Sequence, residues 1–311
     1  MHTVAVLALD SVVPFDLATP IEVFGRTRLP DGRAAYRVLV CGAGEVDAGP
    51  FVIRPTHGLD ALREADTIVV PGCTDVAPPP PPVLDALRGA ASRGTRIASI
   101  CGGAFVLAAT GLLDGLRATT HWIAAAELAR RHPAVVVDPD VLYVDNGQLL
   151  TSAGAAAGLD LCLHLVRRDH GSAVAADAAR LSVVPLEREG GQAQFIVHDL
   201  PPAPRGCALE PVLRWMEENA GRDLALADIA ARAGMSARSL NRRFKEQTGS
   251  TPLQWLHRAR IRRAQHLLET TDHPVERISA QVGFGSPTAF RERFRRVVGT
   301  SPLAYRGAFR S

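Results

Sequence analysis

Along the first two-thirds of the chain, apolar residues fall in short runs separated by amphipathic stretches. The runs are VAVLAL (4–9), YRVLVC (36–41), TIVVPG (67–72), RIASI (96–100) and QLLTS (148–152). Between them lie IEVFGRTR, PPVLDALRGAASR and AFVLAATGLL, whose apolar positions recur at helical spacing. Apolar runs without polar alternation, set between helices, predict strands buried on both faces. This is an α/β sandwich with a parallel sheet. VVVDPDVLYVDNGQLLTS departs from that rhythm. Asp145-Asn146-Gly147 between apolar runs predicts a hairpin, hence an antiparallel excursion. Helices over 155–168 and 173–181 would close this domain.

From Gly190 to Gly206 the pattern fades, and Pro201, Pro202 and Pro204 break helix and strand alike. The expected division is a first domain over 1–192, a linker over 193–208 and a second domain over 209–311. The proline run 78–82 lies inside the first domain and reads as a stiff loop leading into a helix near Val83.

Beyond Leu209 the pattern is helical and repeats itself. LNRRFKEQTGSTP (240–252) matches FRERFRRVVGTSP (290–302), and IAARAGMS (229–236) matches ISAQVGFG (278–285). Each copy reads as helix, glycine turn, helix. In the first, Leu226, Ile229, Ala230 and Ala233 form an apolar face, Gly234 ends the helix, Ser236 caps the next, and Leu240 and Phe244 face inward. In the second, Ile278 and Val282 precede Gly283, Ser286 caps with Pro287 behind it, and Phe290 and Phe294 face inward. This is helix-turn-helix geometry, whose second helix presents its outer face to the major groove. The outward positions are Arg238, Asn241, Arg242 and Lys245 in the first copy. In the second they are Thr288, Arg291, Glu292 and Arg295. Arg and Asn can bond guanine and adenine edges bidentately, and the remaining cations hold phosphates. Glu292 would repel phosphate. It fits better as an acceptor from cytosine or a partner to a neighbouring Arg. TPLQWLHRARIRRAQHLLET between the copies predicts a connecting helix of about 17 residues, about 25 Å long.

Charge sharpens the division. The net +3 of the chain hides a split: residues 210–311 hold 18 Arg and Lys against 10 Asp and Glu, and residues 1–209 hold 17 against 22. The basic third suits a polyanion. Hydrophobic residues at 47% and charged residues at 22% exclude an intrinsically disordered chain. Cys41, Cys73, Cys101, Cys162 and Cys207 show no metal-ligand spacing, so neither a metal nor a cofactor is expected. No leader or membrane-length apolar run is visible, and the chain reads as cytoplasmic.

On RAR-I-RRAQHLL and VGFGSPTAFRERFRRVVGTSPLAYR, residues 210–311 resemble the AraC family of transcription regulators. The resemblance implies two helix-turn-helix units joined by a long helix, binding double-stranded DNA and acting mostly as activators near promoters, with RNA polymerase as a further partner.

In the first domain, Ser99-Ile100-Cys101-Gly102-Gly103 follows a strand and opens a helix, which is nucleophile-elbow logic. A thiol at a helix N-terminus would favour thiolate. Asp16, Gly72 and His121 also follow strands, where ligands bind in open parallel sheets. The expected pocket is therefore Asp16, Gly72, Cys101, Gly102 and His121, with Pro14, Arg54, His57 and Trp122 as further lining. On FDLATPIEVF, ADTIVVPG, ASICGGAFVLAATGLLDG, ATTHW and LLTSAGAAAGLDLCLHLV, residues 3–185 resemble the PfpI type of the class I glutamine-amidotransferase-like superfamily, with its flavodoxin-like fold. That resemblance puts the reactive cysteine at Cys101, its partner histidine at His121 and an acid able to hydrogen-bond the cysteine at Asp16. Amidotransferases place glutamate two residues after the histidine. Here that position is Ile123, so an orienting carboxylate is missing and catalysis is not expected.

The whole chain resembles the GlxA subgroup, which joins these two domains and is thought to sense small metabolites such as quaternary amines and arginine. The leading expectation is a homodimeric regulator, paired through the first domain, with an effector bound near Cys101. One alternative is a cysteine-dependent hydratase or amidase that also binds DNA. Another is a redox sensor using Cys101 and Cys73. If about six phosphates are neutralised, log affinity for duplex DNA falls against log salt with a slope of about −5, checked by anisotropy titrations at several salt concentrations. A flat response would refute the charge argument.

Overall fold

The computed structural model describes residues 1–75, 78–188, 191–195 and 209–310, in two compact units, Met1–Gln192 and Ala193–Ser311. The linker expected at 193–208 lies, from 196 onward, outside the described residues, as does Cys207.

The strands of the first unit are β1 (His2–Leu7), β2 (Tyr36–Cys41), β3 (Val46–Asp47), β4 (Val52–Ile53), β5 (Thr67–Val70), β6 (Arg96–Ile100), β7 (Arg117–Ala118), β8 (Val136–Val137), β9 (Tyr143–Asp145) and β10 (Leu149–Ser152). Its helices are α1 (Pro14–Arg26), α2 (Pro81–Ser92), α3 (Gly103–Ala109), α4 (Trp122–Arg131) and α5 (Ala156–Leu181). The main sheet runs β2-β1-β5-β6-β10-β9. Its first five strands are parallel, and β9 pairs antiparallel with β10 across the Asp145-Asn146-Gly147 turn. Pairs β3–β4 and β7–β8 form two small ribbons apart from it.

Side chains alternate across a strand, so each apolar run feeds two cores. Val4, Val6, Val69, Ala98, Ile100 and Leu150 pack against Val23 and Phe24 of α1 and Leu161 and Leu165 of α5. Ala5, Leu7, Ile68, Val70 and Ile97 pack on the other face against Val83 and Leu87 of α2 and Phe105 and Leu107 of α3. Helix α2 begins at Pro81, inside the proline run, because proline costs nothing at a first helical position. The two closing helices are one element interrupted at Gly171, whose φ of 83° departs from helix.

The second unit holds α6 (Glu210–Glu218), α7 (Leu226–Arg232), α8 (Ala237–Thr248), α9 (Pro252–Thr270), α10 (Val275–Gln281), α11 (Pro287–Val298) and α12 (Pro302–Phe309). The repeat is a repeat of caps as well as of cores. The Ser236 and Ser286 hydroxyls each accept an N–H three residues on, at 3.2 Å, and Gly249 and Gly299 end α8 and α11 with left-handed φ. Helix α9 has 19 residues rather than about 17, and Thr251 and Gln254 form a capping box that fixes its start. It serves two cores. Trp255, Leu256 and Ala259 join Ile229, Leu240 and Phe244; Ile261, Ala264 and Leu268 join Ile278, Phe290 and Phe294.

At the amino ends of the sheet strands, Arg96 donates to both oxygens of Asp169 at 2.7 Å, and the Tyr36 hydroxyl donates to Asp169 at 2.9 Å. Burial pushes the Asp169 carboxyl up, but Arg96 and Tyr36 outweigh it and hold the group below its ordinary value. Asp169→Ala strands the Arg96 guanidinium, and a loss of about 3 kcal/mol is expected in urea titrations. Because the folded carboxyl titrates below its unfolded value of about 3.9, the wild-type advantage is full above that pH and is lost as pH falls through the folded value. An equal gap at pH 7 and in strong acid would contradict the assignment.

Candidate functional site

The carboxyl end of β6 leaves no room for side chains. Cys101 adopts φ 54°, a left-handed conformation, and its N–H donates to the Ser152 carbonyl at 3.0 Å. A Cβ on Gly103 would lie 2.1 Å from the Val70 oxygen, and one on Gly102 would lie 2.9 Å from the Cys73 oxygen. Gly154, with φ +84°, brings the end of β10 against the cysteine, where a Cβ would sit 2.2 Å from that of Cys101. Gly154 was not singled out from sequence; its place between Leu149–Ser152 and α5, facing the elbow, is a product of the β6–β10 pairing.

Asp16, in the first turn of α1, is 1% exposed. Its Oδ1 accepts from the Ala155 N–H at 2.9 Å. Its Oδ2 is buried toward the Cys101 thiol and the Gly72 N–H without a well-formed bond. Burial raises the Asp16 carboxyl, opposed by the Ala155 N–H, the Cys101 thiol and the Gly72 N–H. Burial likewise pushes the Cys101 thiol up to about 12, with the charge of Asp16 adding to it and the Gly102 N–H opposing. The thiolate expected at a helix N-terminus is therefore disfavoured: desolvation and a neighbouring carboxylate outweigh the dipole of a two-turn helix. Cys73 is pushed to about 12 for the same two reasons.

His121 follows β7 of a small ribbon rather than a strand of the main sheet. It caps α4, with Nδ1 accepting weakly from the Ile123 N–H at 3.4 Å, and its ring stacks on Trp122. Burial lowers its pKa, against a raising influence of Asp16. With Nδ1 as acceptor, the neutral ring carries its proton on Nε2 and offers no base there. Beside it, the Thr120 hydroxyl donates to the Cys101 carbonyl at 2.7 Å. Gln192 donates to the Thr119 hydroxyl and the Thr120 carbonyl at 3.1 and 3.0 Å. Gln192 carries no sequence signal that marks it, and Thr120 is marked only as part of ATTHW.

A cleft of about 220 Å³ opens beside the elbow. Its floor and walls come from Ala8–Ser11, Ala43–Val46, Cys73, Pro78–Pro80, Val83 and Gly102 with Phe105 and Val106, and its polar groups include Asp10, Glu45 and Asp75. Of the expected pocket it shares only Gly102. Asp16, Gly72 and Cys101 pack beneath the turn, and Pro14, Arg54, His57 and Trp122 do not line this cleft. Glu45 is nonetheless held by Arg54 at 2.7 Å.

On α8, Arg238, Arg242 and Lys245 are exposed and share one side opposite Leu240 and Phe244. Arg242 reaches Glu246 only at 4.0 Å. Asn241 is half-buried, with its amide donating to the Ala237 carbonyl at 3.1 Å, so it must release its own helix before it can read a base. On α11, Thr288, Arg291, Glu292 and Arg295 are exposed. Glu276 of α10 pairs with Arg291.

A duplicated helix-turn-helix with cationic outer faces, joined to an amidotransferase-like α/β domain, defines a two-domain DNA-binding regulator. Residues 2–168 match the DJ-1/PfpI family and residues 229–308 match a helix-turn-helix domain. The chain belongs to the DJ-1/PfpI family, in the form that carries an AraC-type helix-turn-helix domain. It is similar to the HTH-type transcriptional regulator GbdR of Pseudomonas aeruginosa, 26% identical over 97% of this chain and 83% of that protein. It is also similar to the HTH-type transcriptional regulator GlxA of Rhizobium meliloti, 29% identical over 89% of this chain and 76% of that protein. Its fold resembles the crystal structure of an AraC family transcriptional regulator from Pseudomonas putida, with TM-score 0.54 and 21% identity over 58% of this chain and all of that one.

With a thiol near 12, on the order of one Cys101 in 10⁵ is thiolate at pH 7. Alkylation by iodoacetamide, followed by mass spectrometry of the native protein, should be slow at pH 7 and rise about tenfold per pH unit through pH 9. A plateau below pH 8 would show a reactive thiolate instead.

Proposed function

We propose that the chain is a transcription regulator whose first domain binds a small cationic metabolite in the cleft beside the Cys101 turn. The second domain reads duplex DNA, and ligand occupancy changes how well it does so. One observation carries the reading: the cleft at the carboxyl end of the sheet combines Asp10 and Asp75, beside a Glu45 paired with Arg54, with an apolar wall of Pro78–Pro80, Val83 and Phe105. Carboxylates attract a cation, and apolar walls suit the methylene or methyl groups of an amine, guanidinium or quaternary ammonium compound. The GlxA resemblance points to the same class.

The domain binds rather than turns over its ligand. The thiol is held protonated, and His121 is engaged as a helix cap, its Nδ1 accepting from the Ile123 N–H. The strained φ of Cys101 favours a second reading, a cysteine-dependent hydratase or amidase, and the same experiment separates the two. The protein works as an activator and as a homodimer formed through the first domain, with RNA polymerase as its partner at promoters. An effector can shift DNA binding only by its differential affinity for two states of the protein, typically a 5–150-fold coupling.

The test is a thermal-shift titration with arginine, choline and betaine against glutamate and glucose. DNA affinity is then measured with and without the best ligand. A cation should raise the melting temperature and change DNA affinity at least about fivefold, and Asp10→Asn should weaken the shift. Stabilisation by anions alone would overturn the cation reading. Turnover of an amide or glyoxal compound, abolished in Cys101→Ala, would install the enzyme reading in its place.

A further inference from the structure

Two separate cores share α9, and the junction between them is a single buried cation. Ala259 is the last α9 residue of the first core and Ile261 the first of the second. Arg260 lies between them, 6% exposed. Its Nε donates to the Ala220 carbonyl at 2.8 Å and its Nη2 to the Arg222 carbonyl at 2.6 Å. These carbonyls lie in the loop that follows α6. The other side of the guanidinium faces Phe284, 5.8 Å from the ring centroid, in the turn of the second helix-turn-helix.

Around Arg260 the backbones of the two helix-turn-helix halves touch. A Cβ on Gly221 would lie 2.7 Å from the Gln281 oxygen, and one on Gly283 would lie 2.6 Å from the Ala220 oxygen. Gly283 also needs its φ of +82° to turn the chain. The seam therefore joins the loop after α6 to the turn before α11, with Arg260 bonded to one side and stacked on the other. Long helices curve, and two separate cores strung on one helix could roll against each other. A guanidinium held by two fixed carbonyls and a ring removes that freedom.

We infer that Arg260 is a positioning residue that fixes the spacing of the recognition helices α8 and α11, so that the chain accepts a two-part DNA site of one set spacing. The inference rests on both helices reading the same duplex. Substitution at Arg260 leaves each reading face intact and loosens the register between them.

The test uses the full chain and the duplex it recovers from a random library, together with the same duplex carrying one extra base pair between its two parts. The insertion turns one part by about 35° around the DNA axis, and the wild type should lose about tenfold in affinity. Arg260→Met should bind both duplexes within about twofold of each other, and Arg260→Lys, which keeps one donor, should fall between. An Arg260→Met protein with native circular dichroism that keeps the tenfold preference overturns the inference. So does a folded variant that loses every duplex, since that marks a contact or scaffold role. If Arg260→Met does not fold, Gly283→Ala disturbs the seam from the opposite side and decides by the same two affinities. A wild-type chain that recovers no two-part site overturns the DNA-reading premise, and the inference with it.

Discussion

At the carboxyl end of β6 the chain turns from strand to helix within two residues, while the ends of β5 and β10 press in from either side. Glycines at 72, 102, 103 and 154 are what allow three backbones to meet there. The same crowding dries out Cys101 and Asp16 and sets their protonation. It also pushes open space outward, to the cleft that the neighbouring loops build. A parallel sheet places all its strand ends on one edge, so this crowding and this cleft are one consequence of topology.

The strands were legible because burial on both faces writes itself as unbroken apolar runs, and the hairpin because Asp145-Asn146-Gly147 is a turn with a physical mechanism. The β3–β4 and β7–β8 ribbons were not legible, since two-residue strands leave no period to detect. Within the site, the elbow could be read from its glycines. The state of its thiol could not: it is set by burial together with the charge of Asp16, and Asp16 and the closely packed Gly154 lie more than fifty residues away on either side. The cleft was hidden for a similar reason, being assembled from segments that follow four different strands. Asn241 reads as a base contact by helical phase, yet phase does not show that its amide bonds back to Ala237. Arg260 did leave a trace. It stands four residues from Leu256 and four from Ala264, in the middle of an apolar stripe, and its neighbours Arg258, Arg262 and Arg263 disguised it as one more basic residue.

The two units solve opposite electrostatic problems. The first carries carboxylates toward its cleft and keeps its reactive-type groups neutral. The second spreads cations over exposed helix faces and, among the described residues, buries only one, Arg260, where carbonyl oxygens and an aromatic ring replace water. Duplication made the second unit economical: the same serine cap, inward aromatic pair or Leu–Phe pair, and left-handed glycine recur in each half. The halves differ at the exposed faces of their second helices, with Arg238 and Arg242 in one and Thr288 and Glu292 in the other.

If Arg291 reads a base, its pair with Glu276 sets a condition on that contact which the longer Arg242–Glu246 pair sets more weakly on the first face. The pair is exposed and worth at most about 1 kcal/mol. A bare phosphate must compete with a carboxylate already in place, and salt screens both attractions alike. A guanine edge in the right position offers two aligned acceptors and can draw the guanidinium away. In that role the carboxylate would act as a discrimination threshold, muting idle contacts with arbitrary duplex while leaving a fitting sequence free to engage.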